Sequence, residues 1–150
     1  KYTYDMISDA YYDGRTICIF RLSDVILCKA EIENNLNGPA AALPYLNQIR
    51  ARAGAPEYGK HNRFPAPSTK ETMNDAILKE RGYELVFEFQ RRADLIRFGK
   101  YEEVVNAHLK KLGIAQPTNV TSSLRYFPYP LNDAQLNPNL AAENPSRLPK

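Results

Sequence analysis

The sequence predicts a mainly α-helical fold with long ordered loops and an extended Pro-rich C-terminal strap, and three observations carry that prediction. Apolar residues recur at helical intervals through the first two thirds of the chain. Glycine and proline stand where helices stop and start. Five prolines then crowd the last 25 residues, too densely for continuous helix and at odds with a central strand. With 150 residues, 43% of them hydrophobic, the chain has the size of one domain with a real core. It contains no apolar run long enough to cross a membrane and is too apolar to be disordered. Its 20 basic and 17 acidic residues are mixed along the chain, so no basic stripe points to nucleic acid.

The first helix is expected from Phe20 to Leu36, "FRLSDVILCKAEIENNL". Leu22, Val25, Ile26 and Ala30 form one stripe, and Cys28, Ile32 and Leu36 a second. A helix apolar on two sides is expected to lie between others. Gly38 can take the left-handed conformation that ends it. Pro39 can open the next helix, where a missing amide proton costs nothing. Ala42, Leu43, Leu46, Ile49 and Ala53 fall at helical spacing before Gly54. Pro44 is awkward, because an interior proline costs about 3 kcal/mol; the helix either kinks there or begins near Leu43. Two helices joined so tightly must run antiparallel, as a helical hairpin.

Residues 55–70, "APEYGKHNRFPAPSTK", carry three prolines and a glycine and read as a long loop. Two capping boxes compete after it, Ser68 with Glu71 and Thr72 with Asp75, and both start a helix close to Thr72. Leu78, Gly82, Leu85, Val86 and Phe89 give that helix an apolar face. Glu80, Glu84 and Glu88 recur every four residues on one flank. Two glutamates of such a row have the separation of a glycosidase acid–base pair, roughly 5–9 Å. However, they point the same way beside Arg81, Arg91, Arg92 and Arg97, whose forked guanidinium groups suit carboxylates. Paired carboxylates stay ionised, so the row is expected to brace helices and to supply no catalytic residue.

In the tail, Tyr126, Phe127, Tyr129, Leu131, Leu136 and Leu140 are expected to anchor the strap over the helices, with a short helix at "NDAQL" capped by Asn132 or Asp133. Asn119-Val120-Thr121 matches a glycosylation acceptor by pattern, a weak signal by itself. Cys18 and Cys28, each among apolar neighbours and with no CxxC or histidine pair, are expected to be buried thiols rather than metal ligands. His61 and His108 are expected at the surface.

The segments "FRLSDVILCKAEIENN", "ALPYLNQIRARAGAP", "ILKERGYELVFEFQRRADLIRFGKYEEVV" and "YFPYPLNDAQLNPNLAAENP" occur in the order found in the C-terminal part of the SusD/RagB family. From about Thr16 to Pro145 the chain resembles these surface nutrient-binding lipoproteins of the Bacteroidetes outer membrane. The resemblance implies tetratricopeptide-like helical hairpins and identifies residues 1–150 as the C-terminal part of such a domain. It places the N-terminal part, with its lipid anchor, outside this sequence. It further implies capture of a glycan or other oligomeric nutrient beside a SusC-like TonB-dependent transporter at the cell surface, without catalysis, cofactor or metal. Phe89 departs from the family, which usually has a glycine there to help the backbone turn, and Gly82 stands where an arginine is common. Tryptophan, a strong partner for sugar faces, is absent. Tyr2, Tyr4, Tyr11 and Tyr12 alternate with Asp5, Asp9 and Asp13 and offer rings beside hydrogen-bond acceptors, with Tyr11 and Tyr12 the ligand-binding candidates. The reading preferred for these rings is packing against an N-terminal portion outside this sequence, or edge strands by period-two alternation. A helical-repeat module holding a peptide on its concave face is the alternative function.

Overall fold

The computed structural model describes residues 19–113 and 120–140, the side chain of Ser123 aside. They belong to two compact units that meet between Gln90 and Arg91. In the first unit, α1 (Leu22–Asn37), α2 (Pro39–Arg52) and α3 (Lys70–Glu84) pack against one another pairwise.

Gly38 alone joins α1 to α2 and makes the expected hairpin possible. Its φ of 88° ends α1, its N–H donates to the Asn34 carbonyl at 3.2 Å, and its own carbonyl accepts from Ala41 at 3.2 Å to open α2. Any residue with a Cβ would be strained there. α2 begins at Pro39 and continues through Pro44, so the later start near Leu43 is not adopted. Pro44 sits exposed near the start of the helix. Ala53, placed on the core stripe from sequence, is the exposed C-cap residue, because α2 ends at Arg52.

The core of this unit is Leu27 and Ala30 from α1, Ala42, Leu46 and Ile49 from α2, and Met73, Ala76, Ile77 and Leu78 from α3, closed by Tyr58 and Leu85. Each large side chain here stabilises by about 1.5–3 kcal/mol. The face that α1 buries, Ser23, Asp24, Leu27, Ala30 and Asn34, shares only Ala30 with the expected stripes. Leu22, Val25, Ile32 and Leu36 are 72, 60, 55 and 75% exposed. The reason is polar anchoring. Asn34 Nδ2 donates to the Lys70 carbonyl at 2.9 Å and to Asn74 Oδ1 at 2.8 Å, while Asp24 pairs with Arg81 at 2.8 Å. Turning α1 to bury its apolar stripes would break these bonds. Cys28 follows the same rotation and is exposed, not buried, with Arg81 Nη1 3.6 Å from its sulfur. Cys18 lies outside the described residues.

The 55–70 loop is held by side chains. Asn47 on α2 clamps Tyr58 by accepting from its N–H at 2.8 Å and donating to its carbonyl at 3.0 Å. Thr69, rather than Ser68 or Thr72, caps α3: its hydroxyl accepts from the Thr72 N–H at 3.2 Å, and Thr72 Oγ1 accepts from the Thr69 N–H at 3.0 Å. Thr72 performs the back-bonding that a glutamate at N3 would otherwise supply.

α3 ends at Glu84, and the chain turns through residues 85–89. The expected apolar face therefore stops short: Leu78 and Leu85 are buried, but Val86 is 46% and Phe89 90% exposed. Phe87 and Phe89 have φ of 64° and 61°, so the position where the family favours glycine does require a left-handed residue.

In the second unit, α4 (Arg91–Arg97) and α5 (Tyr101–Lys111) precede a 3₁₀ turn at Ser122–Arg125 and a short α6 (Leu131–Leu136). Here polar contacts hold the start of the strap, and of the expected apolar anchors Tyr129 and Leu140 are half-buried. Arg125 pairs with Glu102 at 2.6 Å, Arg92 Nη2 donates to the carbonyls of Leu124 at 3.1 Å and Arg125 at 2.9 Å, and Asn106 clamps Val120 at 2.7 and 3.0 Å. The Arg92 guanidinium also lies 4.7 Å from the Phe127 ring centroid. Tyr126, Phe127, Leu131 and Leu136 are 59, 73, 57 and 84% exposed. α6 covers the expected "NDAQL" helix, but Pro130 is its N-cap residue, so Asn132 and Asp133 lie inside it. His61 and His108 are exposed, as expected.

A non-glycine residue in the left-handed region costs about 1–2 kcal/mol, and glycine gives back part of that through its freer unfolded chain, about 0.5–1 kcal/mol. Phe89→Gly is therefore expected to raise stability by about 0.5–1 kcal/mol in urea denaturation. A loss of stability would mean that the Phe89 ring, not its backbone, sets the balance.

Candidate functional site: the guanidinium–carboxylate cluster and its cleft

The three glutamates of α3 and its following turn are met by three arginines that converge from elsewhere in the first unit. Arg50, in the last turn of α2, reaches Glu80 at 2.7 Å, with both side chains only 5% exposed. Its Nε donates to the Pro56 carbonyl at 2.6 Å, and the rings of Tyr58 and Phe64 both lie 4.5 Å from its guanidinium. Desolvating two charges is repaid only when geometry and extra hydrogen bonds are good, and here both are. The cation–π contacts supply attraction on the faces of the guanidinium that no oxygen reaches.

Arg21, just before α1, binds the end of the row. Its Nε donates to both Glu88 oxygens at 3.0 and 2.8 Å, while its terminal nitrogens donate to the Glu84 carboxylate, the Glu84 carbonyl and Ser23 Oγ. Arg52 completes Glu84 from the solvent side, its Nη2 lying 2.6 and 2.7 Å from the two carboxylate oxygens. Burial by itself would raise the Glu84 pKa, but hydrogen bonds from Arg21 and Ser23 and the charges of Arg21 and Arg52 outweigh it and hold the carboxyl below its usual range. Burial likewise works against the charge on Arg21, and its bonds to Glu88 and Glu84 more than restore it. A carboxylate held ionised this firmly cannot serve as a general acid near neutral pH.

The brace expected from the sequence is present, and Arg21, Arg50 and Arg52, outside the expected set, take part in it. Arg81 turns to Asp24, across to α1. Arg91, Arg92 and Arg97 belong to the second unit, where Arg97 pairs with Asp94 at 3.0 Å. Arg21, Arg50 and Arg52 were missed. A signal for Arg50 was there: it shares the buried stripe of Ala42, Leu46 and Ile49, where an arginine requires an acid. Glu80 likewise shares the buried side of α3 with Met73 and Ile77. Tyr11 and Tyr12, with the neighbouring tyrosines and aspartates, lie outside the described residues, as does Asn119. Among the described residues no group of three histidine, cysteine or acidic side chains could hold a metal, and no helix is long and apolar enough to cross a membrane.

A cleft of about 400 Å³ opens over this cluster. Its floor is Glu80 and Glu84, and Phe64, Lys79 and Tyr83 stand around it.

The sequence profile of the SusD family matches residues 1–146. This chain belongs to the SusD family. Among curated SusD relatives, SusD-like protein P25 of Formosa agariphila is 39% identical over 120 residues, 80% of this chain and 22% of that protein. The starch-binding protein SusD of Bacteroides thetaiotaomicron is 28% identical over 137 residues, 90% of this chain and again 22% of that protein. The chain thus spans about a fifth of the length of the SusD proteins it matches. No solved structure matches it significantly.

Removing one partner of a buried ion pair strands the other charge and costs about 3–5 kcal/mol, whereas an exposed pair contributes about 0–1 kcal/mol. Arg50→Met is therefore expected to destabilise several-fold more than Arg52→Met, whose side chain is 60% exposed, in parallel denaturant titrations. Because the folded pKa of Glu84 is depressed, its pairing stabilises the protein fully above the unfolded value near 4.5 and is lost as pH falls below it. Thermal unfolding between pH 6 and pH 3 should show a smaller acid-side loss for Glu84→Gln than for the wild type; equal slopes would remove Glu84 from the brace.

Proposed function

We propose that this chain is part of a non-catalytic glycan-capture protein on the outer-membrane surface, held there by a lipid anchor and working with a SusC-like TonB-dependent transporter. The supporting observation is family membership along nearly the whole chain, with a starch-binding protein among its relatives. The chemistry of the cluster agrees with a binding role. Its acids are committed to guanidinium groups, which leaves no carboxyl poised to protonate a glycosidic oxygen. In this reading the first unit is a rigid scaffold: the ion pairs fix three helices and a long loop so that surface groups keep their positions without a fresh ordering cost on binding.

The polypeptide carrying this segment, expressed as its gene encodes it, should be retarded in affinity gels containing at least one polysaccharide and should release no reducing ends from it. It should also co-purify with a TonB-dependent transporter from detergent-solubilised membranes. Glu84→Gln should lower the melting temperature. Release of reducing ends that Glu84→Gln abolishes at unchanged stability would replace capture with hydrolysis.

A further inference from the structure

The cleft over the cluster has features that bracing does not need. Ala53, Ala55 and Pro56 give one side a shelf of small apolar surface between the end of α2 and the loop. Phe64 stands beside it, half-buried and fixed in orientation by the Arg50 guanidinium at 4.5 Å and by the Tyr58 ring, which meets it edge-on at 5.8 Å and 87°. On α3, Tyr83 is 62% exposed despite its size. Lys79 lies one helical turn earlier on the same face.

Charge separates this cleft from a merely apolar hollow. The two acids of its floor are neutralised, Glu80 by Arg50 and Glu84 by Arg21 and Arg52. Lys79 is exposed and makes no ion pair among the described residues. What remains at the mouth is one uncommitted ammonium beside two aromatic rings. A ring face attracts the polarised C–H face of a pyranose. An ammonium answers a carboxylate or sulfate as a point charge, without the planar geometry a guanidinium would impose. At about 400 Å³ the cleft lies toward the low end of ligand pockets, which run to roughly 300–1,000 Å³.

We propose that this cleft is a subsite for an anionic pyranoside, a uronate or a sulfated sugar, which rests its ring against Phe64 and Tyr83 and its charge on Lys79. The inference rests on the glycan-capture reading and gives it a ligand class. Calorimetric titration of the gene-encoded protein with a galacturonate heptamer, a sulfated galactan oligomer, neutral maltoheptaose and a polyglutamate peptide, at 50 and 300 mM NaCl, tests it. One or both acidic sugars should bind, more weakly at high salt. Lys79→Met should weaken that binding about tenfold, the loss of one charge-assisted hydrogen bond, and remove most of its salt dependence. Tyr83→Ala should weaken it at both salt concentrations. Both positions are exposed, so neither substitution should disturb folding. Binding of the neutral sugar alone, or acidic-sugar binding indifferent to Lys79, would overturn the subsite and leave capture standing. Polyglutamate binding as tight as the acidic sugars would assign the cleft to an anionic peptide instead, and binding of no sugar would overturn both readings.

Discussion

The buried pair between Arg50 and Glu80 is the constraint from which the rest of the first unit follows. Two opposite charges, each 5% exposed and 2.7 Å apart, are stable only with good geometry and further contacts to the guanidinium. That requirement draws in the Pro56 carbonyl and the two rings against the guanidinium. The 55–70 loop is thus folded onto α2 by an arginine on one side and by Asn47 on the other. The loop makes a turn of its own, with the Gly59 N–H donating to the Phe64 carbonyl at 2.7 Å and the Phe64 N–H to the His61 carbonyl at 2.8 Å, and these side chains fix that turn to α2.

The same logic runs down α3. Four-residue spacing stacks Glu80, Glu84 and Glu88, which would repel one another if left alone. Arg21 and Arg52 turn that repulsion into attachment, and Arg21 ties the start of α1 to the end of α3 through both a carboxylate and a carbonyl. Glu88 is held inward by Arg21 while the flanking Phe87 and Phe89 are left-handed and exposed. Backbone strain of this kind persists only where neighbouring contacts over-determine the chain, and the Arg21–Glu88 contact is such a determinant. Function and stability also divide along this line. The buried acids are spent on structure, while Lys79 and Tyr83 on the same helix stay exposed at the cleft.

Helix positions were largely legible because they rest on local chemistry. Gly38 and Pro39 mark the hairpin, the proline-rich stretch marks the loop, and the glycine usual at position 89 reported the left-handed turn even though phenylalanine occupies it. Helix faces were less legible. α1 offers two apolar stripes but buries a partly polar face that keeps only Ala30 of them, because Asp24 and Asn34 find partners on α3 that no property of α1 announces. In the tail, arginine and asparagine contacts hold the start of the strap, while of the expected anchors Tyr129 and Leu140 are half-buried and Tyr126, Phe127, Leu131 and Leu136 exposed.

By itself, then, the sequence determined the helical class, the hairpin, the family and the fact that the glutamate row would be neutralised, because spacing, capping and charge balance act over a few residues. Only the tertiary structure decided which arginines neutralise it. Arg21, Arg50 and Arg52 are 63, 30 and 32 residues from their glutamates, and an ion pair depends on distance in space, which separation along the chain does not encode.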